Sequence, residues 1–361
     1  MTPKADIRRE AARLLGFFEN NGAQPVEADI LQPAEVLLDL YGEDIRARAY
    51  VTSDALRGEQ MLRPDFTVPV VQMHMEHGAE PARYTYAGEV FRRQEEDVER
   101  PSEFMQVGYE VFERENPAAA DAEVFALFKE VLSPLGLRAA TGDMGILMAA
   151  VRGLSTTDRR KAALLRHIWR PRRFRALLER FGGKAKIPAS RAALLASEDA
   201  LADVGAFIGL RSKSEISARI DALKEDAEQA PISDDEAAIL DDILKLREKA
   251  PLVLERLRDI SVDLPAITPA VEMMDARITA MAARGLDVDA LDFEGSYGRT
   301  TLEYYDGFVF GFYAEARPDL PAVASGGRYD ALTLVLGQGR SIPAVGGVIR
   351  PELVLSLGDR S

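Results

Sequence analysis

The order of its secondary-structure patterns is the feature that most constrains how this chain can fold. Two β-rich runs, at 82–91 and 103–112, flank a charged loop, which predicts a long antiparallel hairpin. β-rich runs return at 288–293 and dominate 301–350, whereas 155–265 is almost purely helical in its pattern. A sheet built from both β-rich regions would therefore join parts of the chain that are far apart in sequence.

The simplest architecture is an α+β fold with one sheet domain, formed by 1–150 and 285–361. A mostly helical insertion over 151–284 interrupts this domain. A length of 361 residues suggests about two structural units. Three separate units in series are the alternative. Within the insertion, Ser233 and Glu236 have the spacing of a capping box and predict the start of a helix.

The predicted hairpin contains an unusual polar face. Alternate side chains of a strand share a face, so Gln106, Gly108 and Glu110 point together, as does Arg92 with its own strand neighbours. Buried amides and carboxylates are unfavourable unless they are paired. A zwitterionic ligand would supply the partners, with a carboxylate for Arg92 and N–H groups for Gln106 and Glu110. An outward-facing polar strand is the alternative interpretation.

Two later segments favour the ligand interpretation. The strand-like run 302–310 contains the adjacent tyrosines Tyr304 and Tyr305. The run 325–330 reads Ser-Gly-Gly-Arg-Tyr-Asp and ends with Tyr329 and an aspartate. Paired glycines let the backbone approach a ligand closely, although alone they would indicate only a turn.

These segments resemble the motifs of class II histidyl-tRNA synthetases. The resemblance is carried by YAGEVFR and EFMQVGYEVF at 86–92 and 103–112 (motif 2), RPDFT at 63–67 (amino-acid loop), LEYYDGFVF at 302–310 (tyrosine motif), SGGRYD at 325–330, and PAVG at 343–346 (entry to motif 3). The order and spacing of the segments match the family across most of 1–150 and 285–361. The resemblance implies an antiparallel sheet flanked by helices and a histidine-binding core.

The resemblance also implies roles for individual residues. Arg92 would bind the ligand carboxylate, while Asp65, Thr67 and Gln106 would receive the α-amino group. The imidazole site would be lined by Glu110, Tyr305 and Tyr329, and Tyr304 would also belong to the histidine-binding residues.

Departures from the synthetase pattern argue against catalysis. Thr300 stands where the family has the arginine that assists histidine activation, and Arg299 is one residue away, on the opposite face of a strand. Leu353 stands where motif 3 supplies an arginine to ATP. Three further departures are Arg350 for a glycine, Gln94 for an acid and Phe66 for the loop glycine. Loss of two cations that stabilise charge in phosphoryl chemistry predicts that adenylation is nearly abolished, so no catalytic residue is expected.

A synthetase-like core of this kind is similar to the regulatory subunits of ATP phosphoribosyltransferase. That resemblance implies a short-form catalytic subunit as partner, histidine as feedback effector and a homodimer of this chain. It implies no cofactor, and no tRNA partner because the resemblance ends at motif 3 without an anticodon-binding domain. An active histidine-activating ligase is the alternative function, and a ligand-sensing module of another enzyme is a second one.

Composition and charge restrict the remaining classes. The chain has no cysteine, which excludes disulfides and Cys-ligated metals, and no metal site is expected. The absence of a signal sequence or membrane span makes the cytoplasm the default location. A net charge of −14 disfavours nucleic acid, but 152–186 carries twelve Lys/Arg against two acids. This basic segment could be a solvated surface, a phosphate site or a surface for an acidic partner.

Overall fold

The fold was analysed in a computed structural model that describes residues 2–35, 49–94, 101–202, 204–205, 208–299 and 304–358. The described strands are β1 (Gln24–Pro25), β2 (Leu31–Pro33), β3 (Val51–Asp54), β4 (Gly58–Leu62), β5 (Ala82–Phe91), β6 (Glu103–Phe112), β7 (Arg138–Asp143), β8 (Arg247–Lys249), β9 (Asp292–Glu294), β10 (Phe308–Tyr313), β11 (Ala324–Arg328) and β12 (Ala344–Ile349). Nine of them form one sheet in the order β1-β5-β6-β12-β11-β10-β7-β9-β8, and β2, β4 and β3 form a small second sheet.

The helices of the described residues pack around the large sheet or continue away from it. They are α1 (Lys4–Asn20), α2 (Thr67–His77), α3 (Pro117–Val131), α4 (Met144–Gly153), α5 (Asp158–Arg166), α6 (Pro171–Phe181), α7 (Ala189–Ala196), α8 (Lys213–Glu228), α9 (Asp234–Lys245), α10 (Ala250–Asp263), α11 (Thr268–Ala283), α12 (Asp330–Leu336) and α13 (Pro351–Gly358). The predicted α+β class is confirmed.

The predicted hairpin is confirmed, because β5 and β6 have the bounds that the alternation of the sequence indicates. They pair antiparallel from Ala82 with Phe112 to Phe91 with Glu103. β12 pairs antiparallel with β6, and β11 and β10 continue the sheet in the same manner. The two β-rich regions of the sequence therefore form one continuous sheet. Of the loop between β5 and β6, residues 95–100 lie outside the described part.

One face of the sheet is covered by helices. On α3, Phe125 lies 5.6 Å, and Phe128 5.5 Å, from the ring of Phe310 on β10. On α1, Phe18 stacks on Tyr109 at 5.0 Å. These aromatic side chains are fully buried and contribute about 25 cal/mol for each Å² of apolar surface removed from water. The functional candidates occupy the opposite face.

The helical pattern of 155–265 is borne out by α5 to α10, although the short strand β8 interrupts it. The side chain of Ser233 accepts a hydrogen bond from the backbone N–H of Glu236, and the Glu236 carboxylate accepts one from Ser233, which confirms the capping box. β8 joins the edge of the large sheet, and α11 packs against α3. Both elements fall inside the predicted insertion, whose bounds at 151 and 284 stay a prediction.

Within the described part of the chain, no helix is long and apolar enough to cross a membrane. Nor do its residues bring together three or more histidine and carboxylate side chains in an arrangement that could hold a metal ion.

Candidate ligand-binding site

Glycines lie beneath a cluster of polar and aromatic side chains, here called the candidate pocket, on the face of the sheet opposite α3. The strand register places Gly108 of β6 and Gly346 of β12 on this face, together with Gly327 and Gly311 on the next two strands. A Cβ atom at any of these positions would overlap a neighbouring group; the side chains lying over them are those of Tyr86, Glu110, Tyr305 and Tyr297, respectively. The missing Cβ atoms therefore make room for the functional side chains.

Glu110 lies at the centre of a buried hydroxyl cluster. Its carboxylate accepts hydrogen bonds from the hydroxyls of Tyr86 at 2.8 Å, Tyr329 at 2.6 Å and Thr67 at 3.1 Å. The Tyr304 hydroxyl donates in turn to Thr67 at 3.3 Å. Burial raises the pKa of Glu110 to about 7 even though these donors lower it. A carboxylate has roughly four acceptor positions, so one position remains for a ligand N–H group.

Gln106 is the most informative side chain of the pocket. It is fully buried, at 0% exposure, and neither its Oε1 nor its Nε2 atom has a hydrogen-bond partner among the described residues. An unsatisfied buried amide loses roughly 1–3 kcal/mol per group relative to water, so such groups are rare in folded proteins. A polar ligand beside the Gln106 amide would remove this penalty, whereas the space over Gly108 itself is filled by the Tyr86 ring.

The loop before α2 closes the pocket from the side. The Arg92 Nε atom donates to the Pro64 carbonyl at 2.8 Å, and Asp65 is buried beside it. Phe66 stacks on Tyr86 with a centroid distance of 4.4 Å, and the Arg63 guanidinium lies over its other face. Phe66, which stands where the synthetases have glycine, thus holds Tyr86 in position; the departure from the motif does not by itself indicate this role.

The strand-like run 302–310 does not form a strand over its first described residues. Residues 300–303 lie outside the described part, Tyr304 is in a turn, and β10 begins only at Phe308. The Asp306 carboxylate accepts hydrogen bonds from the backbone N–H groups of Asp330 and Ala331, which fixes an irregular connection instead of a strand. Tyr304 and its neighbour Tyr305 are nevertheless buried.

Arg299, next to the position where the synthetases have an arginine, and Leu353, which stands at another such position, both lie away from this cluster. The Arg299 Nε atom donates to the Ile168 carbonyl at 2.8 Å, and its guanidinium lies over Phe174 of α6. Arg299 is directed away from the pocket as expected, but it lies in a turn and not on the strand from which the sequence predicts this orientation, and Thr300 falls outside the described residues. Leu353 packs against the hydrophobic core from α13.

The basic segment is partly neutralised by the helices that follow it. Arg160 is buried and donates to Asp226 at 2.6 Å and to the Ala230 carbonyl at 2.7 Å. Lys184 lies 2.7 Å from Asp234. In contrast, Arg172 and Arg173 at the start of α6 are exposed. The segment therefore combines structural arginines with an exposed cationic surface.

The raised pKa of Glu110 predicts a pH dependence of stability. Between its ordinary value of 4.5 and about 7, the folded chain binds more protons at this site than the unfolded chain does. The contribution of Glu110 to the free energy of unfolding must therefore fall as the pH rises through this window. The free energy of unfolding of Glu110→Gln, measured relative to that of the wild type, should therefore increase by about 2–3 kcal/mol as the pH rises from 5 to 8. Urea unfolding at both pH values tests this, and parallel profiles would contradict it. Asp306, whose pKa is also about 7, contributes equally to both proteins.

Comparisons with known proteins agree with this geometry. The histidyl-tRNA synthetase family model matches residues 3–213 and 217–354. An ATP phosphoribosyltransferase regulatory subunit of Agrobacterium fabrum is 31% identical in an alignment that covers 95% of each chain. The corresponding subunit of Sinorhizobium medicae is 32% identical, covering 95% of this chain and 96% of the relative.

Solved structures show the same fold. The structure titled ATP phosphoribosyltransferase regulatory subunit/histidyl-tRNA synthetase from Bacillus halodurans has a TM-score of 0.68 at 20% identity, covering 98% of this chain and 79% of that chain. A histidine–tRNA ligase subunit from Alicyclobacillus acidocaldarius has a TM-score of 0.60 at 24% identity, covering 99% and 94%. The predicted class II synthetase-like fold is thus confirmed. This chain belongs to the histidyl-tRNA synthetase-like family, within the group of ATP phosphoribosyltransferase regulatory subunits.

Proposed function

We propose that this chain is the regulatory subunit of ATP phosphoribosyltransferase, needed for the first step of histidine biosynthesis and for its feedback inhibition by histidine. The observation that carries the proposal is the buried amide of Gln106, which has no partner among the described residues and shares a face with Glu110. A zwitterion with a ring N–H group supplies what these two side chains lack. Relatives that align over almost the full length of the chain are named ATP phosphoribosyltransferase regulatory subunits.

Histidine would bind with its imidazole N–H group donating to Glu110, between the tyrosine rings of Tyr304, Tyr305 and Tyr329. Its α-amino group would donate to Gln106, Asp65 and Thr67, and its carboxylate would lie towards Arg92. Each contact pairs a charged or polar ligand group with a buried or half-buried side chain of complementary chemistry, which is how small-ligand sites obtain their specificity.

The mechanism that follows is allosteric. Histidine binds here and changes the balance between two states of a hetero-oligomer, so that the catalytic site on another chain becomes less active. The partner would be the short-form catalytic subunit, and this chain would form a homodimer within the assembly. It would have no catalytic residue of its own and would use no cofactor, metal ion or tRNA. The assembly would work in the cytoplasm, where its substrate ATP is present.

An active histidine-activating ligase is the alternative, and the retained Arg92 favours it. Against it, the Arg299 side chain donates to the Ile168 carbonyl, away from the pocket. Leu353 is uncharged and packs against the core, so neither residue supplies the positive charge that adenylation needs. ATP–pyrophosphate exchange in the presence of histidine separates the two functions. The regulatory subunit is expected to show no exchange, and exchange at the rate of a true synthetase would establish the ligase.

The direct test of the proposal is reconstitution with the catalytic subunit. The two chains should co-purify, the complex should be active, and added histidine should inhibit it. If histidine binds to the isolated chain but does not inhibit the complex, the pocket has a different function. If the chains do not associate, the assignment as a subunit fails.

The exposed part of the basic segment should serve an acidic protein partner. Reversing Arg172 and Arg173 to Glu is expected to slow association with the catalytic subunit by about 10-fold or more at low salt, because long-range charge acts mainly on the association rate. The measurement is the association rate constant at increasing salt concentration, at which wild type and variant should converge.

Arg211 and Lys213 provide a matched control, since they are also exposed but lie outside the basic segment. Reversal of this pair to Glu makes the same change in net charge. Equal slowing by both double variants would point to overall charge alone. No slowing by either would leave the segment as an ordinary solvated surface.

A further inference from the structure

Arg350 lies next to Gln106 in the sheet although it is far from it in sequence. Ile349, the last residue of β12, pairs with Val107, so the position after β12 falls beside Gln106. The Arg350 N–H donates to the Val323 carbonyl at 2.9 Å, which continues the pairing with the neighbouring chain segment. Side chains alternate along a strand, so Arg350 shares the face of Gly346 and of the pocket.

The surroundings of Arg350 agree with a guanidinium that extends over this face. The Arg350 guanidinium donates to the Ala322 carbonyl. Three tyrosines, Tyr313, Tyr305 and Tyr297, lie near enough to raise its pKa in part. Burial, followed by the positive charge of Arg92, lowers the pKa of Arg350 to about 10. Arg92 and Arg350 are therefore close enough for their charges to interact.

These two cations have no anionic partner in the part of the chain that the structure describes. Arg92 donates to the Pro64 carbonyl and Arg350 to the Ala322 carbonyl, and no ion pair joins either of them to a carboxylate of the described residues. Two neighbouring like charges, half-buried and uncompensated, repel each other and lose solvation. Such an arrangement is stable once an anion lies between them.

The geometry favours a carboxylate as that anion. A guanidinium presents a planar fork that matches the two oxygens of a carboxylate, and two forks can share one carboxylate. The backbone of Gln106 lies beside that of Arg350, and the Gln106 amide, unpartnered within the described chain, suits the amino group next to that carboxylate. Glu110 lies four residues along β6, or roughly 13 Å from Gln106 in an extended strand, and the Tyr86 side chain lies over Gly108 between them.

We propose that Arg350 and Arg92 together bind the α-carboxylate of the amino-acid ligand, so that Arg350 determines specificity at this end of the pocket. The proposal rests on histidine being the ligand, as argued above. Glu110 then recognises the ring and the arginine pair recognises the carboxylate. A phosphate group would satisfy the same two cations, and the experiment distinguishes it from the carboxylate.

The test compares three ligands that differ only at the carboxylate: histidine, histidinol with a hydroxymethyl group, and histamine with hydrogen. Their affinities for the full chain are measured by calorimetry, for the wild type and Arg350→Gln. We expect Arg350→Gln to weaken histidine binding by about 10–100-fold, as for loss of a charge-assisted hydrogen bond, and to change the affinities of the other two by less than about threefold.

Arg340→Gln is the matched control. Arg340 also donates to a main-chain carbonyl, that of Met75, but it lies outside the pocket, so none of the three affinities should change. If Arg350→Gln does not fold, Arg350→Lys replaces it, because lysine keeps the charge but lacks the planar fork. It should also weaken the binding of histidine selectively, but by a smaller factor.

Each remaining outcome contradicts the proposal. Equal weakening of all three ligands would mean that Arg350 only supports the pocket by bonding Ala322. Unchanged histidine binding together with weaker binding of inorganic phosphate would assign the cations to a phosphate group. If the wild type binds none of the three ligands, the proposed function itself is wrong. If the wild type binds histidine but the loss is not selective, only the role of Arg350 is wrong.

Discussion

Arg277→Met is expected to lower the free energy of unfolding by about 3–5 kcal/mol, because it leaves the buried Asp143 carboxylate without a counter-charge. Arg277 is 3% exposed on α11, and both of its terminal nitrogens donate to Asp143, at 2.6 and 2.9 Å. It also lies 3.6 Å from Asp121, which Arg328 contacts at 2.6 Å. Urea unfolding of the full chain at pH 7 measures the loss.

Two further variants show whether the lost charge pair is the cause. Arg258→Met removes an exposed arginine that pairs with Glu255 and Asp275, and should change stability by less than about 1 kcal/mol. Adding Asp143→Asn to Arg277→Met removes the orphaned charge and should recover part of the stability, since replacing both partners of a buried pair is far less harmful than removing one. An Arg277→Met effect no larger than that of Arg258→Met would contradict the interpretation.

This network could not be predicted from the sequence. Arg277 and Asp143 are separated by 134 residues, and an arginine within a helical pattern is usually assigned to the solvated face. The contact fixes α11, which the sequence pattern assigns to the insertion, against the cap of α4 and against α3. Helical periodicity identifies which segments are helices, but it contains no information on which distant charge completes a buried pair.

The hairpin is predictable because its information is local. Alternation defines the two faces of β5 and β6 and places the polar residues Gln106 and Glu110 together around Gly108, which indicates either a ligand site or an outward polar face. Tyr304 illustrates the limit: its neighbours have strand propensity, but Asp306 accepts two backbone hydrogen bonds from the start of α12 and holds the chain in a turn. Arg350 illustrates a second limit, since its position beside Gln106 depends on the pairing of β12 with β6.

Glu110→Ala is expected to weaken histidine binding by about 10–150-fold, or roughly 1.5–3 kcal/mol. Glu110 is 1% exposed and is held by three hydroxyl donors, which fix its carboxylate towards the pocket and leave an acceptor position for the imidazole N–H group. In the assembled enzyme the histidine concentration required for half inhibition should rise by the same factor, whereas uninhibited turnover should stay unchanged.

Glu123 supplies the control that separates loss of the ligand contact from general damage to the sheet. It is also a buried carboxylate that accepts from a tyrosine, Tyr109 at 2.6 Å, but it pairs with Arg83 and lies on the helix-covered face. Glu123→Gln should therefore reduce stability without changing histidine affinity. If Glu110→Ala folds normally and leaves the inhibition curve where it was, the glycine-floored pocket is not where the enzyme senses histidine. A shift of the curve with Glu110→Ala alone would assign feedback to the carboxylate that the hydroxyl cluster holds.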